Sequence, residues 1–456
     1  MLIKIYASGT NIQRLAKGAP KVDGVIYTAY SQLEQSEESI IKRKFFMLEV
    51  DTLKHDIESL EPEVQPSWTK IWGKPNGNKS FITKLFKSFI GEEPLRQELN
   101  LSNLTGESVD CFMLLVSANN KEMRQIKDIA IRAIPNYHIK ILNGDFTSNK
   151  EAESETIREI NEAKIAGKDG LIIISNQMGS RSYSISEIQA SVIAYDRGSV
   201  DTTIQKVSRC LTPGNTFSGE LKEYGHIVDL SFDPNRSENI EKLLVEEIMQ
   251  VHKSEGMDFP TATRFVLSSI DCFRVKYGTA IEVTESEMFT ILNDNENLLR
   301  VADVTVNIDL ARDIVEHLEN ANRIDGVGHQ GKNAIDAVKN YVTETDGKRP
   351  KNRKSDKDIE TIINEAIKTI NRSARNVHYL YPSGETYKEC LENIIYSAQS
   401  SEEFYDFVGI DIEIALMILD KGILNEPILD VVVQNTKKFA KSEENNNFGF
   451  KTTVSL

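Results

Sequence analysis

Apolar residues fall along this chain in two rhythms, and their alternation over residues 110–230 predicts the architecture. Cys111-Phe112-Met113-Leu114-Leu115-Val116 is a continuous apolar run, of the length and kind a strand buried on both faces shows. Ser117, Ala118, Asn119 and Asn120 end it with cap-forming residues, after which Met123, Ile126, Ile129 and Ala130 recur at helical spacing. Residues 138–142 read as the next strand, stopped by Asn143-Gly144-Asp145. A long helix is predicted over 150–166, with Ile157, Ile160, Ala163 and Ala166 near one face and Gly167 closing it. Two more apolar strands, 171–174 and 190–195, flank a turn-rich segment that carries Gly179, Ser180 and Ser182. A short helix over 202–211 sets Gln205 and Arg209 one turn apart on one face, and 225–230 reads as a last strand. Strands alternating with helices predict an α/β fold, a parallel sheet with helices on both faces.

The flanks are less regular. Residues 2–6 alternate as a strand and run into Ala7-Ser8-Gly9-Thr10, and 22–30 hold another strand at Val25, Ile26 and Tyr27. Residues 34–60 have helical character, with Ile40, Ile41, Phe45, Leu48, Leu53, Ile57 and Leu60 apolar. Residues 61–106 are rich in Pro, Gly, Asn and Ser, and hold both tryptophans, Trp68 and Trp72, with lysines at 70, 74, 79, 84 and 87. Aromatics interleaved with lysines can stack on bases and follow phosphates. The favoured reading is a connector whose amphipathic helix docks Phe81, Leu85, Phe86 and Phe89 on the core. Beyond 233 the pattern turns mainly helical, with a capping box at Thr284 and Glu287 and helices over 309–318, 332–342, 358–370, 386–398, 401–406 and 412–419. The tract 347–354, Gly-Lys-Arg-Pro-Lys-Asn-Arg-Lys, is a basic loop that could meet nucleic acid but is more simply a solvated one. The tail over 442–447 reads as disordered.

Composition narrows the classes. The 456 residues suffice for several domains, and 40% hydrophobic with 27% charged is ordinary for a globular protein. No apolar run is long enough to span a membrane and no signal peptide is visible, so a cytoplasmic location is expected. Cys111, Cys210, Cys272 and Cys390 are far apart without C-x-x-C spacing, and the seven histidines show no paired helical spacing, so no metal site is expected. A net charge of −15 excludes nucleic-acid binding over the whole surface but leaves room for a local basic groove.

The order from 110 to 230 resembles motifs IV, V and VI of superfamily 2 helicases and translocases of the restriction or phage type, in the second of their RecA-like domains. There a strand leads to a Gly-containing loop, a second strand ends near a Tyr-Asp pair such as Tyr195-Asp196, and a helix carries Gln-x-x-Gly-Arg-x-x-Arg. Here that signature stands as Gln205-Lys206-Val207-Ser208-Arg209-Cys210-Leu211-Thr212. Gln205 and Arg209 match, Ser208 is a small replacement for Gly, and Thr212 departs from the second Arg. Ser8-Gly9-Thr10 is similar to motif III. The resemblance covers about a quarter of the chain.

The resemblance implies that Arg209 reaches the γ-phosphate of ATP across a cleft and that Gln205 bonds the nucleotide or holds the motif. It implies nucleotide-side roles for Gly179, Arg181, Ser8 and Thr10, and nucleic-acid contacts at Ser117, Gly144, Ser180 and Ser182. Arg181 or Arg197 could supply the charge missing at Thr212. No G-x-x-x-x-G-K-[ST] is present; Gly73 to Ser80 has its letters out of place, with Asn78 where the second Gly belongs. The expected cofactors, ATP and Mg²⁺, would then be held mainly by another domain. On this reading residues 1–60 are the remnant of a first RecA-like domain with a connecting helix, 61–109 a connector, 110–232 the second RecA-like domain and 233–456 a helical region. The expected partners are a nucleic acid, taken as DNA, and a second chain or a missing N-terminal part bearing the phosphate loop, with no membrane. The alternative is a non-catalytic helicase-like module that binds nucleic acid or protein.

Overall fold

The computed structural model describes residues 29–36, 40–48, 67–92, 99–142, 149–176, 184–195, 207–230, 238–276, 278–294, 298, 386–397, 428–435 and 437. The chain divides into two compact units, residues 1–10 with 23–292 and residues 11–22 with 293–456. The described part of the first unit is built on one eight-stranded sheet.

Three strands follow from the apolar runs. β2 (Cys111–Val116), β4 (Gly170–Ser175) and β5 (Ala190–Ala194) are buried at every position. A sheet covered on both faces demands this. With β1 (Lys42–Leu48), β3 (Tyr137–Leu142), β6 (Tyr224–Asp229), β7 (Asp271–Lys276) and β8 (Thr279–Glu282), the order across the sheet is β3-β4-β2-β5-β6-β1-β7-β8. Every neighbouring pair is parallel except the β7–β8 hairpin. Phe112 and Val116 of β2 stand beside Ala190 and Ala194 of β5, and Ala190 stands beside His226 of β6.

The helices are α1 (Tyr30–Ser36), α2 (Trp68–Gly73), α3 (Lys79–Phe89), α4 (Leu101–Thr105), α5 (Asn120–Ala133), α6 (Asn149–Ile165), α7 (Glu238–Glu255), α8 (Phe259–Leu267) and α9 (Glu285–Leu292), with α10 (Tyr387–Ser397) in the second unit. One face of the sheet, carrying Phe46, Phe112, Leu114, Ile172, Val192 and Val228, forms a single core with Trp68 and Trp72 of α2, Phe86 of α3 and Met123 and Ile126 of α5. The alternate residues Phe45, Met113, Ile173, Ile193 and Ile227 are buried as well, so the opposite face is also covered. The fold class is therefore the expected α/β arrangement, a mostly parallel sheet between helices, with further helix at the C-terminal side.

Local signals held where they were strong. Asn119 accepts from the Lys121 and Glu122 amides at 3.0 Å each while Glu122 reaches back to the Asn119 amide at 2.7 Å, a complete capping box on α5. Thr284 and Glu287 make the same reciprocal pair at the start of α9. The docked amphipathic helix is α3, with Phe81, Leu85, Phe86 and Phe89 buried. Three readings change. The strand at 225–230, expected to be the last, is followed by β7 and β8, which extend the sheet within the region expected to be mainly helical. Residues 42–48, expected to be helical, form β1 between β6 and β7. Residues 208–211, expected at the end of a helix, form a 3-10 turn. The strands and helices expected within 2–10 and 22–28, the loop 347–354, the helices over 309–318, 332–342, 358–370, 401–406 and 412–419, and the tail lie outside the described residues. Among the described residues no helix is long and apolar enough to cross a membrane.

Candidate functional site

The carboxyl edge of the sheet is where a parallel fold of this kind offers its loops. The chain leaves β2 toward β3 on one side and later passes from β4 across β2 to β5 on the other. Adjacent strands whose connections run in opposite directions open a crevice at their carboxyl ends, here between β2 and β5. Ser117 lies exposed directly after β2. Beside it, Asn176 at the end of β4 donates its side-chain amide to the Ala118 carbonyl at 3.2 Å. Asn176 therefore sits next to Ser117, and the Ser184 amide donates to Glu153 at 3.0 Å.

The other half of that edge is closed by the chain itself. The Trp72 indole N–H donates to the Ala194 carbonyl at 2.7 Å, and the Trp68 indole N–H to the Leu230 carbonyl at 2.6 Å. Ala194 ends β5 and Leu230 directly follows β6. The two rings stack, centroids 5.2 Å apart, and both are fully buried. They are not available as platforms for bases; they fasten α2 onto the strand ends. The spacing Trp68-x-x-x-Trp72 is a same-face helical pair, and that was the available sign of burial.

Arg209 sits elsewhere. Its 3-10 turn is tied low on β5 and β6. Ser191 Oγ donates to the Val207 carbonyl at 3.0 Å, and a Cβ at Gly225 would stand 2.8 Å from the Cys210 carbonyl oxygen and 2.6 Å from Leu211 Cδ2. Gly225 is thus the close approach that lets the turn rest on β6. By the strand register, the turn lies four to six residue steps below Ser117, roughly 13–20 Å along the strands. Arg209 is half-buried, and so is Thr212. Gly225→Ala is expected to push the turn off the strand and to destabilise by about 1–3 kcal/mol, an overpacking effect seen as a lower urea midpoint. An unchanged midpoint would mean that the turn is not held by this contact.

The same end of the sheet holds a buried cation. Lys222 is 5% exposed and donates to the Ser186 carbonyl at 2.7 Å and the Ile188 carbonyl at 2.9 Å. Burial pulls its ammonium down to about 8. Burial likewise pushes the nearby Cys210 thiol up to about 11, so Cys210 stays a neutral thiol rather than a nucleophile. Cys111, Cys210, Cys272 and Cys390 are all free and buried.

Of the residues singled out from the sequence, the structure describes Ser117 and Arg209 and places them toward opposite ends of the sheet. Ser8, Thr10, Gly144, Gly179, Ser180, Arg181, Ser182 and Gln205 lie outside the described residues, as does Arg197. Among the described residues no group of three or more His, Cys, Asp or Glu is placed to hold a metal ion.

No protein-family model matches this chain, and no curated protein matches it. Among solved structures it is similar to an ATP-dependent Type ISP restriction-modification enzyme, LlaBIII, bound to DNA, with a TM-score of 0.34 and 12% identity. The likeness covers 94% of this chain and 28% of that one.

Proposed function

We propose that this chain supplies the second RecA-like half of an ATP-dependent helicase or translocase acting on nucleic acid, DNA in the first instance, completed by a phosphate-loop domain on another chain or on a further N-terminal part. The observation that carries the reading is the order of the motifs. The Gly179 loop follows β4, Tyr195 and Asp196 follow β5, and Gln205 and Arg209 fall in the connection between β5 and β6. Ser117 is assigned to nucleic acid and Arg209 to nucleotide by the motif order alone, since the Arg209 turn lies toward the amino ends of β5 and β6, away from the edge where parallel sheets bind ligands. Arg209 suits the second task because its guanidinium is permanently charged and forks onto phosphate oxygens. Bound ATP with Mg²⁺ would supply the phosphoryl group and its neutralisation; in this reading the phosphate-loop domain carries both, since this sequence has no G-x-x-x-x-G-K-[ST]. Residues 110–232 would supply the centre of the second RecA-like domain and 61–109 its connector; β1 from 1–60 and β7–β8 from 233–456 join the same sheet, so neither stretch as a whole stands as a separate domain.

The test is ATP hydrolysis stimulated by nucleic acid, measured on the chain alone and with the protein that co-purifies from its native host. The expected result is turnover with the partner and none without it, and a loss of about a thousandfold or more on Arg209→Ala, the range an arginine finger contributes. Partnered turnover that survives Arg209→Ala removes the assignment. A second reading, a helicase-like module that binds without turnover, is favoured by Thr212 in place of the second Arg. It is the reading left standing if no partner restores hydrolysis while nucleic acid still binds.

A further inference from the structure

We propose that the outer surface of the α2–α3 hairpin is a docking site for the phosphate backbone of a nucleic-acid strand; this rests on the nucleic-acid reading above and locates a contact that none of its motifs includes. Between Gln65 and Gly91 the chain has five lysines and not one Asp or Glu, although the whole protein carries a net charge of −15. The fold sorts those lysines outward. Trp68, Ile71 and Trp72 of α2 and Phe81, Ile82, Leu85, Phe86 and Phe89 of α3 point into the core. Lys70, Lys74 and Lys79 are exposed, and Lys84 and Lys87 continue the outer stripe of α3 at half exposure. Along α3 that stripe runs about 12 Å from Lys79 to Lys87.

The surface is held in place. The two indoles pin α2 to the carboxyl ends of β5 and β6. The Asn78 side chain closes the turn between the helices by donating to the Ile71 and Lys74 carbonyls, both at 3.1 Å. The lysines therefore stand on fixed backbone at the sheet edge that also carries Ser117.

The neighbours on that face decide the partner. Thr69, Asn76, Ser80 and Thr83 lie between the lysines at exposed or half-exposed positions, the hydroxyl and amide donors that accompany Lys on phosphates. The large exposed hydrophobics among the described residues are Ile131, Ile157, Ile165, Leu221 and Ile281, none of them on this hairpin. A membrane-inserting or protein-docking face would need such anchors. Lysines are point charges without base or sugar readout, so DNA and RNA strands of equal length should bind this surface alike.

The experiment is fluorescence anisotropy of the full chain with labelled single-stranded DNA and RNA across a salt series. It compares wild type with Lys70→Glu/Lys74→Glu/Lys79→Glu and with the corresponding triple Gln variant. All three positions are exposed, so unchanged tryptophan emission and melting serve as the folding control. The expected result is a loss of at least tenfold near 100 mM salt for the Glu variant, a smaller loss for the Gln variant, and a salt slope shallower by about 2, at about 0.7 for each single-strand phosphate contact. Wild-type binding with an unchanged triple variant overturns the docking site and leaves the functional reading intact. No wild-type binding to either strand overturns both. Binding to anionic vesicles or polyglutamate that the triple variant loses, while nucleic-acid binding is untouched, assigns the surface to another partner and overturns the proposal.

Discussion

Arg43→Met is expected to remove about 3–5 kcal/mol of stability from the sheet unit, the range for breaking a buried ion pair from one side. Arg43 is 3% exposed on β1 and is gripped from two sides. Its Nη1 and Nη2 donate to Glu247 of α7 at 2.6 and 3.0 Å, and its Nε and Nη2 to Glu34 of α1 at 3.0 and 2.7 Å. The Tyr30 ring lies 4.7 Å from the guanidinium carbon. One cation faces two buried carboxylates, so one of them is undercompensated. Burial raises Glu34 above the usual carboxylate range, and Arg43 only partly offsets it. Burial would raise Glu247 too, but Arg43 outweighs it and the Ser31 amide adds a hydrogen bond at 2.7 Å, so Glu247 ends below that range. Removing Arg43 leaves two buried carboxylates without a cation.

The pH dependence follows with a definite sign. In the native protein Glu247 contributes stability above the unfolded carboxylate value, about 4.3, and that contribution is lost as pH falls through its lower folded value. Glu34 works the other way: its raised folded value means that stability declines as pH rises from the unfolded value through the folded one. In Arg43→Met both carboxylates are of the second kind. The deficit against wild type should therefore be smallest near pH 5 and grow toward pH 8. Glu247→Gln should also destabilise more than Glu34→Gln, because the site favours the charge on Glu247 and holds the one on Glu34 against its burial. Both tryptophans of the chain lie in the sheet unit, so their emission during urea unfolding reads this unit separately from the other. A deficit below about 1 kcal/mol, or one equal at both pH values, would show that the guanidinium is not what keeps these carboxylates inside.

Strand β1 also shows where sequence reasoning stops. β2, β4 and β5 were legible because a strand covered on both faces has to be apolar throughout, and α5 was legible because its capping box spans only four residues. β1 reads Lys-Arg-Lys-Phe-Phe-Met-Leu, and its charged half hides a strand whose Arg43 is buried because Glu34 and, 204 positions later, Glu247 meet it. β7 and β8 alternate weakly at the sheet's far edge, and their hairpin turns on Gly278 at φ 73°. The site divides in the same way. Ser117 at a strand's carboxyl end follows from parallel-sheet geometry, and Arg209 from a local signature. That the two lie toward opposite ends of the sheet depends on how the 3-10 turn descends to Gly225. The closed half of the crevice depends on an indole reaching a carbonyl 122 positions away, and no local pattern encodes that.

Trp72→Ala is expected to destabilise the sheet unit by about 3–5 kcal/mol, the range for truncating a large buried aromatic. Trp72→Phe should fall between that and wild type, at about 1–3 kcal/mol, because the apolar ring is kept while the Ala194 carbonyl loses its donor in a buried place. The difference between the two variants separates packing from hydrogen bonding. Trp68 offers an internal comparison: its indole donates to the Leu230 carbonyl one strand over, so Trp68→Phe should resemble Trp72→Phe. In each case the remaining tryptophan reports the unfolding. If Trp72→Phe stays within about 0.5 kcal/mol of wild type, water replaces the indole at Ala194 and the strand end is more open than its burial implies. If the loss appears as expected, α2 is an integral cap on β5 and β6. A ligand entering the crevice between the strand ends is then confined to the half over β2, β4 and β3, beside Ser117, Leu142 and Asn176, while the outer lysines of the α2–α3 hairpin stay a surface contact.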